Sequence, residues 1–378
     1  MNQLLVPAEA SALRHNNFDA IRLAMALLVV WSHSFALWLG SEGSEPVSLL
    51  MAGTYNSGNL AVLAFFTISG FLITLSWLRS ESWHDYLWRR IARIHPGYLV
   101  AITLSSLVVV PAFSSRAFSV LSAGEMEGLA SNLLLRNYIV SSNAFGGGPV
   151  DGSLWSIPYE FWCYLGVMAL GLTTLIRWRP VFPTVTAAVI AVRFWLDMTG
   201  RRPGGGIIQT IIGFPYFWFN VLPPFFLGGA VYLYREKLPR SRLLMILLIL
   251  GTIGAAHLPL SEPLRTALTR VLLPPTLTYL TLYFAFSPVL RAPEAARYGD
   301  FSYGTYLYAF PIQQMLVVLL KGRVSFAAFV VLSLIASLAA GVASWHLVEK
   351  WFLPRMHGFS ARSRYAQPAK KKARTVAP

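Results

Sequence analysis

Phe18-Asp-Ala-Ile-Arg22-Leu-Ala-Met-Ala-Leu-Leu-Val-Val-Trp-Ser-His33-Ser-Phe-Ala-Leu-Trp-Leu39 is the first long apolar run of the chain, and its only ionisable side chains are those of Asp19, Arg22 and His33. A helix needs roughly 20 apolar residues to cross the hydrocarbon core of a bilayer. The run is therefore predicted to span a membrane. Because it is too long for the apolar part of a signal peptide, we expect an uncleaved signal anchor.

The composition of the whole chain extends this prediction to a polytopic membrane protein. Of the 378 residues, 55% are hydrophobic and 12% are charged, about half the charged share of an average soluble domain. A water-soluble protein has no means of hiding so much apolar surface, so soluble enzymes, disordered chains and fibrous repeats are excluded. The net charge of +15 is typical of basic cytoplasmic loops facing anionic lipids, and we expect no nucleic-acid partner.

Nine further apolar runs predict an all-α bundle of about ten transmembrane helices. The ten predicted spans are Phe18–Leu39, Asn59–Leu78, Pro96–Phe113, Leu154–Ile176, Val181–Asp197, Ile212–Tyr234, Leu243–His257, Val271–Leu290, Tyr303–Leu320 and Ser325–Leu347. With the N-terminus inside, 21 Lys and Arg fall in cytoplasmic segments and eight in outer loops. Since basic residues are enriched in cytoplasmic loops, both termini are predicted to face the cytoplasm.

Three segments follow from this topology. Residues 1–17 form a cytoplasmic N-terminal segment, residues 18–352 a ten-helix transmembrane domain, and residues 353–378 a basic, disordered cytoplasmic tail. The inner loop Arg79–His95 has the composition of an amphipathic interfacial helix. The long outer loop Ser114–Gly152 carries a glycine-rich stretch and is a candidate functional loop.

Ionisable groups inside a span are costly, so each one pairs, faces the bundle interior or serves chemistry. Arg22 and His33 are eleven residues apart, which places them on one helix face about 16 Å apart along the axis. This spacing suits an elongated ligand whose anionic end lies at the cytoplasmic side of the membrane. The alternatives are an Arg22 that snorkels to lipid phosphate and a core His33 bonded to a neighbouring helix.

Glu160 lies six residues below the start of the fourth span, at the same predicted depth as His33 in the first span. A carboxylate at that depth can orient an imidazole, so we predict a catalytic His33–Glu160 pair. Pro158 is expected to disturb the helix and open space there. The alternative is a structural Glu160 bonded to backbone that the proline frees.

Arg90 and Arg93 are three residues apart, on one helix face at the cytoplasmic end of the third span. Guanidinium groups offer planar, permanently charged donors that suit phosphates, although such arginines are also ordinary topology signals. We place Asp151, Trp155 and Tyr159, at the outer start of the fourth span, on the acceptor side. The single cysteine of the chain leaves no intrachain disulfide and no Cys/His metal cluster, so no metal is expected.

Six short motifs together resemble the acyltransferase 3 family of bacterial multi-pass O-acyltransferases, over about residues 18–352. The motifs are Asn17-Phe-Asp-Ala-Ile-Arg22, Ser32-His33-Ser34, Phe65-Phe-Thr-Ile-Ser-Gly-Phe71, Arg90-Ile-Ala-Arg93, Leu154-Trp-Ser-Ile-Pro-Tyr-Glu160 and Gly299-Asp-Phe-Ser-Tyr-Gly-Thr-Tyr306. The resemblance implies transfer of an acyl group, usually acetyl, from cytoplasmic acyl-CoA to a hydroxyl of an envelope or exported glycan, at the bacterial inner membrane. It associates Arg22, His33, Arg90 and Arg93 with activity.

The residues and the resemblance lead to one hypothesis. The phosphates of acyl-CoA dock at Arg22, Arg90 and Arg93, and the pantetheine arm extends toward His33. There the carbohydrate acceptor meets a general base. Direct transfer and an acyl-histidine intermediate are both compatible with these residues. A proton-coupled transporter that uses the same intramembrane charges, and a non-catalytic assembly subunit, are the alternative functions.

The predicted topology is tested by reporter fusions at Ser142 and Ala369. We expect the two fusions to report opposite sides of the membrane, Ser142 outside and Ala369 inside, because the basic residues are distributed 21 to eight. Matching signals from the two positions would contradict the orientation.

Overall fold

The structure is a computed structural model that describes residues 4–7, 13, 16–114, 130, 135, 141–142, 144–287, 289–290, 292 and 297–353. Most of the predicted outer loop, residues 114–152, and nearly all of the predicted tail, residues 353–378, lie outside the described residues.

The described residues form a helical bundle with one small β-hairpin. Its helices are α1 Phe18–Ser34, α2 Pro46–Leu50, α3 Ser57–Arg79, α4 Trp83–Leu104, α5 Val110–Phe113, α6 Ser156–Leu172, α7 Val181–Thr199, α8 Gly206–Ile212, α9 Pro215–Leu233, α10 Arg242–Ala256, α11 Glu262–Ala285, α12 Ser302–Leu320, α13 Phe326–Ser344 and α14 Lys350–Phe352. Single π-helical turns extend α1 through Phe35–Leu39, join α4 to α5 through Ser105–Val109, and join α13 to α14 through Trp345–Glu349. The hairpin pairs β1 Ser141–Ser142 with β2 Gly148–Pro149 in antiparallel register.

Each of the ten predicted spans coincides with a helix, which confirms an all-helical bundle. Six helical segments of the described residues are long and apolar enough to cross a membrane, and they indicate a multi-pass membrane protein. These six are Phe18–Leu39, Ser57–Arg79, Trp83–Phe113, Val181–Thr199, Pro215–Leu233 and Phe326–Phe352. The helices at the other four predicted spans are shorter or more polar, so ten crossings and the orientation of the termini stay predictions.

Two local expectations are wrong. Residues Arg79–His95 do not form a separate interfacial helix, because α4 begins at Trp83 and continues through Pro96 without a break. Pro158 does not disturb its helix either. It is the third residue of α6, and a proline in the first turn removes no intrahelical hydrogen bond.

Contacts between helices give their relative directions. Arg22 at the start of α1 lies beside Asp300, which precedes α12, and His33 near the end of α1 lies beside Phe310 in the middle of α12. The two helices therefore run parallel. Gly152, just before α6, lies against that same Phe310. Further along, the Ser156 hydroxyl is 2.7 Å from that of Tyr306, so α6 runs antiparallel to α12.

The closest crossing in the bundle joins α3 to α9, and glycines make it possible. A Cβ atom built on Gly70 would lie 1.8 Å from the backbone oxygen of Phe225, and one on Gly228 would lie 2.1 Å from the backbone oxygen of Thr67. These obstacles are main-chain atoms, which cannot rotate away as a side chain can. Small residues at a helix crossing let two backbones approach closely, as they do in membrane proteins generally.

This crossing yields a stability prediction. Gly70→Ala is expected to destabilise the protein by about 1–3 kcal/mol, because the two helices must move apart. Gly166→Ala in α6 is the matched control, since a Cβ atom there meets nothing within 4 Å, and it is expected to be neutral or slightly stabilising. The thermal unfolding midpoint of the detergent-solubilised protein measures both. Equal midpoints for the two variants would contradict the tight crossing.

Candidate active site

Arg22 and Arg93 converge on one carboxylate, that of Asp300. Arg93 Nη2 donates a hydrogen bond of 2.7 Å to Asp300 Oδ2, and Arg22 Nη2 lies 3.6 Å from the same oxygen. Arg22 also pairs with Asp19 in the first turn of α1. The structure thus brings together two of the three arginines predicted for the donor, and it connects three helices through one acidic residue.

A second carboxylate extends this cluster. Glu349 Oε2, in the π-helical turn after α13, lies 3.6 Å from Arg93 Nη1, and its other oxygen accepts a hydrogen bond of 2.8 Å from the Ser344 hydroxyl. Glu349 is only 2% exposed. We call Arg22, Arg93, Asp300 and Glu349 the ion-pair cluster.

Neighbouring groups keep the Asp300 carboxyl group ionised. Burial alone would raise the pKa of this carboxyl, but Arg93, Arg22 and hydrogen bonds from Ser302 hold the pKa well below its usual range. Asp300 is therefore ionised at neutral pH.

Arg90 differs from the other two arginines. Its guanidinium lies 5.9 Å from the ring centre of Tyr86 and 6.0 Å from that of Tyr164. Within the part of the chain that the structure describes, it has no carboxylate within ion-pair distance, and its Nε atom is buried without a hydrogen-bond partner. Of the three predicted donor ligands, Arg90 is thus the one whose charge is not already paired.

No hydrogen bond or ion pair joins Glu160 to His33 within the described part of the chain, so the predicted orienting pair is not formed. Its carboxylate instead accepts hydrogen bonds from the Ser69 hydroxyl of α3 and, at 2.6 Å, from the Tyr164 hydroxyl one turn further along α6. Equal depth in the membrane does not fix the angular position of a helix around the bundle, and α3 and α12 are the main neighbours of α1. Through Tyr164, Glu160 connects to Arg90.

His33 lies on the part of α1 that faces α12. Its ring packs edge-on against Phe310 with centroids 5.1 Å apart, and its Nδ1 atom is buried with no hydrogen-bond partner among the described residues. Nearby, the Gln313 side chain donates to the Val30 carbonyl and the Ser34 hydroxyl. Gln313 thus bonds to α1 beside the imidazole and not to the imidazole itself.

Asp151 is brought to the same neighbourhood through Gly152, whose added Cβ atom would lie 2.8 Å from the ring of Phe310. Asp151 is fully buried, and one of its oxygens accepts a hydrogen bond from the Ser153 backbone. Its other oxygen has no hydrogen-bond partner in the part of the chain that the structure describes. Burial raises the pKa of Asp151 well above its usual range, and the Ser153 hydrogen bond offsets this only in part.

Trp155 and Tyr159, the other predicted acceptor-side residues, belong to an aromatic cluster between α6 and α9. The Trp155 ring lies 5.1 Å from that of Phe217, and the Tyr159 ring lies 4.8 Å from that of Trp218. The Tyr159 hydroxyl donates to the Phe214 carbonyl at 3.2 Å. This cluster fixes the start of α6 against the start of α9.

The fold therefore separates the predicted residues into two groups along α1. The ion-pair cluster and Arg90 lie level with the start of the helix, and His33 lies near its end with the Asp151 region. Residues from all six sequence motifs take part in this arrangement, since Asp300 contacts Arg22 and Arg93, Ser69 contacts Glu160, and Phe310 packs against His33.

Comparison with known proteins identifies the family of this chain. A family model described as an acyltransferase domain matches residues 15–346. The chain belongs to the acyltransferase 3 family.

Similar proteins support an O-acyltransferase activity for this family member. A protein of Shigella phage Sf6 named O-acetyl transferase is 26% identical over 349 residues, which cover 90% of this chain and 97% of the phage protein. Nodulation protein 10 of Rhizobium leguminosarum bv. viciae is 26% identical over 370 residues, covering 90% and 94% of the two chains. Acyltransferase MdmB of Streptomyces mycarofaciens is 30% identical over 178 residues, covering 44% and 43%. No solved structure matches this chain.

Sequence reasoning misses two residues of this candidate site, Asp300 and Glu349. Asp300 lies in the motif Gly299–Tyr306 but outside every apolar run. Glu349 follows the predicted end of the last span at Leu347 and so does not fall among the predicted intramembrane charges. A search for acids that balance the predicted arginines would have found both.

The ion-pair cluster of this acyltransferase yields a prediction about stability. Asp300→Asn is expected to destabilise the protein by about 3 kcal/mol, because it leaves two half-buried guanidinium groups without their shared partner. Since the pKa of Asp300 is lowered in the folded state, its contribution is complete above its unfolded pKa and is lost only as the pH falls through the lower, folded value. The difference from the wild type should therefore persist from neutral pH down to about pH 4.

Asp85→Asn provides the matched control for this prediction. Asp85 pairs with Arg89 at 2.8 Å on the more exposed part of α4, and an exposed pair of this kind contributes less than about 1 kcal/mol. Thermal unfolding of both variants over this pH range makes the comparison. Equal losses in the two variants, or a difference that disappears before pH 4, would contradict the role given to Asp300.

Proposed function

We propose that this protein is an acyl-CoA-dependent O-acyltransferase of the bacterial inner membrane, which transfers an acyl group, most simply acetyl, to a hydroxyl of an envelope or exported glycan. The observation that carries the proposal is the convergence of Arg22 and Arg93 on Asp300, with Arg90, which has no ion-pair partner among the described residues, on the same helix as Arg93. The family membership and the O-acetyl transferase relative support the class of reaction.

The donor end is assigned to Arg90 and the ion-pair cluster. Phosphate groups bind best where guanidinium donors are fixed in place and not neutralised by a nearby carboxylate. Arg90 meets this requirement, and Arg93, held by Asp300 and Glu349, fixes the same helix. Glu160 acts here as a positioning residue, because its hydrogen bond orients Tyr164 beside Arg90.

The chemical step is assigned to His33. Its imidazole accepts the proton of the acceptor hydroxyl while the hydroxyl oxygen attacks the thioester carbonyl. The C–S bond then breaks, and the proton passes to the departing CoA sulfur. An acyl-histidine intermediate is the alternative route. The imidazole nitrogen attacks the thioester carbonyl and the C–S bond breaks, releasing CoA as its thiolate. The acceptor hydroxyl then attacks the acyl-imidazole, the acyl–nitrogen bond breaks, and the hydroxyl proton passes to the CoA sulfur, which leaves the imidazole neutral. Both routes need an imidazole nitrogen that no protein group occupies, as for Nδ1 of His33.

Variants at the two ends test the proposal. His33→Gln should lower the rate of acceptor-dependent CoA release by about 10²–10⁴-fold, because it removes the base, while the affinity for acetyl-CoA is unchanged. Arg90→Ala should weaken acetyl-CoA binding by at least about tenfold, since a hydrogen bond to a charged group is lost. Lys at this position should restore binding only in part. Calorimetric titration with acetyl-CoA and a thiol assay for CoA release measure the two quantities.

Arg89→Ala is the matched control for Arg90. Arg89 is the adjacent arginine on α4 and already pairs with Asp85, so its loss should leave acetyl-CoA binding unchanged. Near-normal transfer by His33→Gln would remove the assigned base. Unchanged acetyl-CoA binding by Arg90→Ala would leave Arg90 as a topology signal.

A further inference from the structure

A second concentration of arginines lies outside the site described above. A cavity of about 340 Å³ opens between the end of α7, the starts of α9 and α11, and the loop after α2. Its charged and polar lining includes Asp197, Arg201, Arg202, Tyr216, Arg265 and Arg270. Glu262, in the first turn of α11, also lines it, so four arginines face two carboxylates.

One of the two carboxylates is already neutralised. Asp197 lies 2.6 Å from Arg270 and 3.0 Å from Arg193, and it accepts a hydrogen bond from the Tyr216 hydroxyl at 3.2 Å. With its side chain only 4% exposed, Asp197 is the buried floor of the cavity. It fixes Arg270 in place and leaves little capacity for other cations.

The remaining three arginines of the lining have no such partner. Among the described residues, Arg201, Arg202 and Arg265 have no carboxylate within 4.0 Å. The Arg202 guanidinium lies 5.7 Å from the ring centre of Tyr216, and that of Arg201 lies 5.3 Å from the ring centre of Trp195. An aromatic ring steadies a guanidinium by contact with its flat face, while the N–H groups at its edge stay free to donate.

The cavity is at the same end of the bundle as His33. Tyr216 is the second residue of α9, and the next residue, Phe217, packs against Trp155 at the outer start of α6. Gly152, close to Trp155 in the chain, lies against the Phe310 ring that contacts His33. The ion-pair cluster lies near the other end of α1, so this basic cavity is separate from the donor end.

We propose that this cavity binds an oxyanion group, a carboxylate or a phosphate, carried by the acceptor glycan. The inference rests on the proposed function, because it names the acceptor as an anionic saccharide. Arg202 and Arg265 supply donors to the oxyanion, Arg270 is held in position by Asp197, and the aromatic cluster around Trp155 spans the distance toward His33. An acidic acceptor is thereby held at the end of the bundle where its hydroxyl reaches the base.

A binding experiment without acyl-CoA tests the proposal separately from catalysis. The full chain, in nanodiscs of uncharged-headgroup phosphatidylcholine, is titrated with a short oligogalacturonide and with its fully methyl-esterified form. The two probes share a sugar backbone and differ in charge. We expect the acidic probe to bind at least about tenfold more tightly, and inorganic phosphate and added salt to weaken its binding.

The variant for this test is the double substitution Arg202→Gln with Arg265→Gln, which breaks no ion pair of the described structure. It should lose the preference for the acidic probe. Arg323→Gln is the matched control, since Arg323 is an exposed arginine that follows α12 at the same end of the bundle. In a transfer assay, the double variant should raise the KM for an acidic acceptor with kcat unchanged.

Any other outcome either overturns the proposed oxyanion site or shows that the proposed acyltransferase function is wrong. Equal affinity for the two probes, or equal loss in the control, would overturn it. If phosphatidylglycerol stays bound to the wild type but not to the double variant, and the acidic probe does not bind, the cavity is assigned to a lipid headgroup. If the acidic probe binds as expected but no acyl transfer occurs with any acceptor, the oxyanion site stands and the proposed function fails.

Discussion

The ion pairs of Asp300 with Arg22 and Arg93 hold three helices of the bundle in one register. An isolated charge at a partly buried position loses hydration without compensation, so each of these three groups is tolerated only while the others are in place. The start of α1, the middle of α4 and the loop before α12 are therefore not free to move independently. His33 is positioned by the same constraint, because it lies eleven residues further along the helix that carries Arg22.

A second constraint acts where α3 crosses α9. The main-chain contact at Gly70 sets the distance between α3 and α9, and Ser69, the adjacent residue, donates to Glu160 of α6. Because α3 packs along α1 and also bonds to α6, it sets the position of the helix that carries His33 relative to the helix that carries Glu160. The carboxylate is thereby placed beside Tyr164 and Arg90 rather than beside the imidazole.

Much of this fold could be predicted because a membrane helix must be apolar for about 20 residues. That requirement predicted a helix at each of the ten spans, although α4 begins at Trp83, well before the predicted Pro96, and α11 begins at Glu262, well before the predicted Val271. The 100° helical period placed Arg22 and His33 on one face of α1. The separation of Glu160 from His33 could not be predicted in this way. Depth is one coordinate of three, and the order of helices around a bundle depends on long-range packing that a hydropathy pattern does not contain.

Asp300 and Glu349 could not be predicted for a related physical reason. Asp300 lies outside every apolar run, so the sequence gives no sign that its charge is buried, and Glu349 lies two residues beyond the predicted end of the last span. A search for charged residues within apolar runs therefore misses both of these acids. Their importance comes from the arginines they neutralise, which belong to distant parts of the chain.

Under the proposed function, the distribution of paired and unpaired arginines follows from the cost of moving charge through a bilayer. Neither the phosphates of a donor nor the oxyanion of an acceptor can enter the apolar middle of the bundle cheaply. Arg90 at one end and Arg202 at the other allow each anion to stay at its own surface. Only the uncharged pantetheine arm and its acyl group then need to reach the intervening region. His33, a group that can be neutral between proton transfers, is the catalytic side chain best suited to that region.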